Sequence, residues 1–404
     1  DTVLTLRESL LVANGSLHQS ALTVGERDLM LNDARAGFPY SDMVRFHPVT
    51  FPAAAPATIA LSSGLPELTV TNLDTGFNNI SGIGAGVVVD GQNLAQISCL
   101  KTNGTWKNII EGLQIRRCPY GIHIDGGYLN GAIGNNRVGG SVVTAQRNVL
   151  RENGAGILFE HSDQNLVVGN HIGTNPEGND ALANNEGIFL LGGSDNNAIG
   201  GDSATERNVI SGNTDEGILI DDPATGNLVV GNYIGTDALG TSALPNQTGV
   251  WVFGNGNAVG GSAPAEGNLI SGNGYGVQLT GASNNTISGN RVGTDVTGTL
   301  DLSTGIGISL ESGSTNNVIG GSLPGARNLI SGNDIGVVVD GLDGTGNNFI
   351  RGNYIGTDAS GASALPNATS LLIFGDGNTI GGAALGQGNL IAGSDNGVRL
   401  ASAD

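Results

Sequence analysis

Asp90, His123, Asp125 and Glu160 are the residues whose types and spacing bear most directly on catalysis. Each carboxylate closes a short Gly-apolar-x-apolar stretch, the three stretches starting at Gly86, Gly121 and Gly156. If such stretches stack in successive layers, the carboxylates come to lie roughly 5 Å apart. That separation suits a glycosidase carboxylate pair or a shared Ca²⁺. His123 sits two residues before Asp125, on the same face of an extended strand, and His161 follows Glu160; both are candidate bases. Later copies of the carboxylate position carry Asp221, Glu311 and Asp340, but also Leu191, Phe253, Thr280, Phe374 and Ala401. The plainer reading, that these are simply polar outward positions, therefore outweighs both catalysis and calcium.

Two further sets invite a ligand. Phe189, Trp251, Phe253 and Phe374, with Leu372, fall at outward strand positions in alternate layers and could form a sugar-stacking strip. Loops such as Ala243-Leu244-Pro245-Asn246 precede the aromatic copies, and packing under these loops is the favoured explanation. The turn Ile-Gly-Thr-Asp-x-x-Gly carries Asp237, Asp295 and Asp358, with Asn175 in the first copy. These recur once per two layers, roughly 10 Å. Six or more oxygens around Ca²⁺ cannot come from one carboxylate per turn, so an Asx-turn is the better account. Calcium thus stays a weak expectation, and the sequence points to no other cofactor.

The elements that would hold these residues come from an internal repeat. Asn-(Val/Leu)-(Leu/Ile) recurs at Asn148, Asn208, Asn268, Asn328 and Asn389, in steps of 60, 60, 60 and 61. Asn-x-(Ile/Val)-Gly-Gly begins at Asn136, Asn197, Asn257, Asn317 and Asn378. Gly-Asn-x-(Ile/Val)-Gly-Thr places Asn170, Asn232, Asn290 and Asn353. Each unit splits into two of about 30 residues, with short strands of period two bounded by Gly and Asn. A unit this small buries its apolar face only by stacking on its neighbours. The repeat predicts an all-β, right-handed parallel β-helix of ten or eleven coils over residues 81–404. Ile157, Ile188, Ile218, Val250, Val277, Ile308 and Val337 are expected to stack inside, and the repeated Asn to form ladders. Residues 1–80 lack the period and read as a capping region and first coils, with one short amphipathic helix from Thr5 to Ala13.

Composition narrows the partners. The 404 residues include 69 Gly, 16 Lys or Arg and 36 Asp or Glu, a net charge of −20. Such a surface repels nucleic acid and anionic membranes, and no apolar run is long enough for membrane insertion. Lys101 and Lys107 are the only lysines. Cys99 and Cys118, 19 residues apart, fit a disulfide or two buried thiols equally well.

Units such as GNLVVGNYIGTDALGTSALPNQTGVWVFGNGNAVGG resemble those of secreted bacterial right-handed parallel β-helix repeat proteins. The stretch Leu4-Thr5-Leu6-Arg7-Glu8-Ser9 with Ala13-Asn14 resembles the CSLREA segment that precedes such repeats, with Leu4 in place of its Cys and Ser9 in place of its Ala. The resemblance implies the fold, over nearly the whole chain, and a secreted or cell-surface location. It implies little activity. The Gly-His-Gly and Arg-Ile-Lys motifs of β-helix pectinases are missing. Lyases of this fold use a Lys or Arg base, for which Lys101, Lys107, Arg116 and Arg117 are the candidates. The monotony of the coils from residue 150 onward favours a non-enzymatic structural or adhesive rod, a filament or surface-assembly subunit. It would contact other copies or surface proteins at its ends, most simply the last coil against a neighbour's N-terminal region. The alternatives are a polysaccharide lyase or glycoside hydrolase acting through Asp90, His123, Asp125 and Glu160, and a non-catalytic carbohydrate-binding protein.

Overall fold

In the computed structural model, the described residues are 41–45, 57–61, 68–69, 77–82, 87–94, 98–127, 134–142 and 144–401. The expected helix from Thr5 to Ala13 lies outside them. Almost every described element is a short strand, and the strands form three parallel sheets of twelve. The chain visits the sheets in strict rotation, each strand pairing with those one coil before and one coil after. This is the right-handed parallel β-helix that the repeat requires. Its helical segments are single turns such as Thr144–Gln146 and Pro324–Ala326.

One inward column per sheet makes the core. In the third sheet, Ile122, Ile157, Ile188, Ile218, Val250 and Val277 follow one another coil by coil, each fully buried. The column continues through Ile308 and Val337 to Leu371. β-Branched residues dominate because their branched Cβ packs well on a pleated surface.

At the corners, Asn replaces aliphatic residues. One ladder runs Asn148, Asn170, Asn208, Asn232, Asn268, Asn290, Asn328, Asn353 and Asn389, the Nδ2 of each donating to the Oδ1 of the next at 2.9–3.1 Å. Two of the three sequence markers therefore belong to a single ladder, alternating coil by coil. A second ladder links Asn136, Asn165, Asn197, Asn227 and Asn257 and continues to Asn378. A third runs Asn153, Asn184, Asn213, Asn246 and Asn273, and resumes at Asn333 and Asn367. Within the unbroken runs the buried amides are satisfied by their neighbours, as burial demands; Asn333 Oδ1, where the third ladder resumes, is not. The glycines of the Ile-Gly-Thr turns serve this geometry. Gly235 has φ +85°, and a Cβ there would lie 2.2 Å from the Asn273 Oδ1.

The long turns from Asn175, Asp237, Asp295 and Asp358 lean over the outer side of the second sheet. The turns bridge the two-coil gap by touching one another: Ala238 N donates to Gly178 O, Val296 N to Gly240 O and Ala359 N to Gly298 O. The corresponding residue of the first turn is Pro176, which has no N–H to donate.

Candidate functional site

His123, Asp125 and Glu160 come together on the outer side of the third sheet. The strand Tyr120–Asp125 lies between Ser98–Asn103 and Ala155–Glu160. Period two turns His123 and Asp125 away from the core columns of Ile122 and Ile124, while Tyr120 has the parity of the core residues and is exposed because it stands at the corner where the strand begins. The register sets Lys101 beside His123 and Asp125 beside Glu160.

The groups interlock. His123 Nε2 lies 3.0 Å from Glu160 Oε2, and Ser98 Oγ lies 3.3 Å from His123 Nδ1. Lys101 Nζ lies 3.3 Å from Asp125 Oδ2. Asp125 Oδ1 also accepts the Gly127 N–H at 2.8 Å. Tyr120 packs edge-on to the imidazole, with centroids 5.6 Å apart, and is 38% exposed. Burial and then the Lys101 charge lower the pKa of His123, while Glu160 and Asp125 push it back up. The imidazole is therefore neutral at physiological pH, as a general base must be.

Asp90 does not join this group. Its strand, Val87–Asp90, belongs to the second sheet, and Asp90 pairs in register with Arg116. Below Asp125 in the third sheet stands Asn103, not Asp90. The Gly-apolar pattern at Gly86 marks a strand of a different sheet, so the inference of three stacked carboxylates is corrected to two. Asp90 is buried and held by Arg116 Nε at 3.0 Å and Arg117 Nε at 2.7 Å. Burial pushes its pKa up, but the Arg117 hydrogen bond, the Gln92 N–H and the Arg116 charge outweigh this and leave it lowered. It is a structural anion.

The remaining sequence candidates fall into place around the cluster. His161 lies in the turn after Glu160, against Gly192. Lys107 sits over the Trp106 ring, 4.9 Å from its centroid. Cys99 and Cys118 form a disulfide, which ties the strand carrying Lys101 to the turn carrying Arg117. Phe189 and Trp251 stand in the same outward column as His123, two and four coils away. Trp251 stacks on Phe253 at 4.8 Å and donates to Thr280 Oγ1 at 2.9 Å. Phe374 is half-buried on the last coils of the same sheet.

The turn carboxylates are consumed by their own turns. Asp295 Oδ1 accepts the N–H groups of Thr299 and Leu300, both at 3.0 Å. Asp237, Asp358 and Asn175 repeat the pattern. The carboxylates cap their own turns as the Asx-turn reading expected, but through N–H groups four and five residues on rather than two.

A whole-chain charge hides one local feature. Residues 101–151 hold seven of the sixteen basic residues and only Glu111 and Asp125 as acids, a net of +5. Residues 152–404 hold five basic and 25 acidic residues, a net of −20. Lys101, Tyr120, His123 and Asp125 lie in this basic stretch, and Glu160 just beyond it.

His123, Asp125 and Glu160 place donor atoms within 4.8 Å of one another, a spacing that a metal ion could use. Their contacts argue otherwise. The Lys101 ammonium already pairs with Asp125, and two carboxylates fall short of the six to eight oxygens of Ca²⁺.

A family profile described as "Periplasmic copper-binding protein (NosD)" matches residues 78–257. The cluster lacks the soft sulfur ligands that select Cu(I), and the Lys101 ammonium, which offers no lone pair, competes with any metal cation for Asp125. No curated protein matches the chain. Among solved structures, the mannuronan C-5 epimerase AlgE4 A-module of Azotobacter vinelandii aligns over 95% of this chain and 97% of its own, at 13% identity and TM-score 0.54. The AlgE6 A-module of the same organism aligns over 100% and 98%, at 14% identity and TM-score 0.49. An alginate lyase from Paenibacillus aligns over 85% and 99%, at 15% identity and TM-score 0.34. Identities this low speak to the fold: the chain is a right-handed parallel β-helix repeat protein.

Proposed function

We propose that the protein is an extracytoplasmic enzyme that removes the C5 proton of a uronate unit in an acidic polysaccharide, as a lyase or an epimerase. One observation carries this: Lys101, His123, Asp125 and Glu160 meet on one outer face, with a neutral imidazole at their centre and the Tyr120 ring against it from the corner. A proton α to a carboxylate is acidic enough to remove only if a cation stabilises the enediolate that forms. Lys101 supplies that charge and Asp125 holds it. His123, oriented by Glu160, takes the proton, and the electron pair moves into the substrate carboxylate. Tyr120 then gives a proton either to the departing O4, which leaves a C4=C5 double bond, or to C5 from the opposite face, which inverts it. The basic stretch around the cluster supports an anionic substrate. The disulfide and the periplasmic family description support a location outside the cytoplasm.

The test is proton exchange. Purified protein is incubated in deuterium oxide with a panel of polyuronates, and C5 deuteration and ultraviolet absorbance of the unsaturated product are followed. Deuterium at C5 is expected, lost in His123→Gln. No exchange on any polyuronate overturns the proposal and returns the chain to a structural or adhesive rod.

A further inference from the structure

The corner that leads into the catalytic strand carries three guanidiniums. Arg116 ends one strand of the second sheet, and only Arg117, Cys118 and Pro119 separate it from Tyr120. One coil later Arg151 is the register partner of Arg116, so their Cα atoms lie about one strand spacing apart, roughly 5 Å. Like charges that close repel, and each guanidinium has five N–H donors to satisfy.

The acids nearby do not use them up. Asp90 already accepts from Arg116, Arg117 and the Gln92 N–H. Arg151 pairs through NH1 with Glu152, while its Nε finds no hydrogen-bond partner among the described residues. Three cations against Asp90 and Glu152 leave 3 − 2 = +1. The Arg117 and Arg116 side chains stay 39% and 27% exposed, and Arg151, whose Nε is buried, 13%. The Cys99–Cys118 disulfide and a hydrogen bond from Cys118 N to Asn153 Oδ1 fix the turn against the strand of Lys101. A fixed, incompletely neutralised cation group beside the proposed reaction site is built for an anion.

We infer that Arg116, Arg117 and Arg151 form a carboxylate subsite that holds a uronate unit of the polymer next to the one at His123. The inference rests on the polyuronate reading of the site. Guanidinium forks bind carboxylates bidentately, so this subsite selects acidic over neutral sugars. It sets the polymer's path across the corner and along the strand toward Tyr120.

The experiment measures binding of a defined oligouronate and of a neutral oligosaccharide of equal length, in a His123→Gln background. Arg151→Gln is the primary variant because it leaves Asp90 both of its guanidiniums; Arg117→Gln is the second. Loss of one charge-assisted contact is expected to weaken oligouronate binding about tenfold. Neutral binding should stay unchanged, and the salt dependence of Kd should flatten. With His123 intact, Arg151→Gln should raise KM and spare kcat. An oligouronate Kd within twofold of the parent overturns the subsite, as does equal weakening of the acidic and neutral ligands. If the chain exchanges no C5 proton but Arg151→Gln still weakens oligouronate binding selectively, the reaction fails and the subsite stands. If exchange proceeds with Arg151→Gln at unaltered KM, the subsite fails and the reaction stands.

Discussion

Thr304 stands in register with Asn333 across one coil, and no hydrogen bond joins their side chains. Thr304 occupies the place that Asn246 and Asn273 fill in the two preceding coils, four residues before the inward Val250, Val277 and Ile308. Both Thr304 Oγ1 and Asn333 Oδ1 are buried without a partner. Thr304→Asn supplies the missing rung, an acceptor for Asn273 and a donor for Asn333. The expected gain is about 1 kcal/mol, read as a higher urea midpoint. A lower midpoint would show that this coil's backbone cannot take the amide.

The opposite substitution tests the intact ladder. Asn268 is buried and joins Asn232 to Asn290. Asn268→Ala strands an acceptor and two donors, at a cost of about 1–3 kcal/mol. An unchanged melting temperature would mean that the ladder contributes nothing.

His171 makes the rod sensitive to acid. Burial, then the charge of Arg147, lowers its pKa to about 4. The folded state thus holds the ring neutral where the unfolded chain takes up a proton below its ordinary value of about 6.5. Stability is full above that value and falls as the pH drops toward 4, by about 3 kcal/mol in all. Two and six coils further on, Tyr233 and Tyr354 hold the same place, with Arg207 and Arg327 4.0 and 3.9 Å from their ring centroids. His171→Tyr should therefore fit and flatten the loss of stability between pH 6.5 and 4, which chemical denaturation at a series of pH values measures.

Glu160 raises the pKa of His123 while burial and Lys101 lower it. Glu160→Gln should lower that pKa further and shift the acid limb of any exchange activity to lower pH. Proton NMR titration of the imidazole reads this directly; an upward move would contradict the assigned contact between Glu160 and His123.

Asp295 is pushed up by burial, but hydrogen bonds from Leu300, Thr297 and Thr299 outweigh that and hold its pKa low. Its stabilising effect is present above the ordinary carboxylate range and is lost as pH falls through it. Asp295→Ala should cost about 1–2 kcal/mol. Calcium and chelators should leave the melting temperature unchanged, and a rise with calcium would reopen the turns as a metal site.

The fold was legible because its demands repeat. Asn at corners, Gly where φ must be positive and β-branched residues inside return every coil, so Asn148 and Asn208 announce a period before any strand is assigned. The site was only partly legible. Tyr120, Lys101 and Glu160 lie on coils of unequal length, where register cannot be counted from a period. The strand before Asp90 has the same Gly-apolar signature as the strand before Asp125, although the two belong to different sheets. The local excess of basic residues was hidden by a total of −20.

The asparagine ladders also have a direction. In every rung of the longest ladder the donor belongs to the earlier coil and the acceptor to the later one, from Asn148 to Asn389. A cut through the rod therefore leaves two unlike faces. The stump that keeps the N-terminal coils presents amide hydrogens in search of oxygen, whereas the C-terminal stump presents spare carbonyl oxygens, which proteins tolerate better. Each coil's ladder amide is completed by its successor, so the two ends of the rod differ in what they ask of whatever covers them.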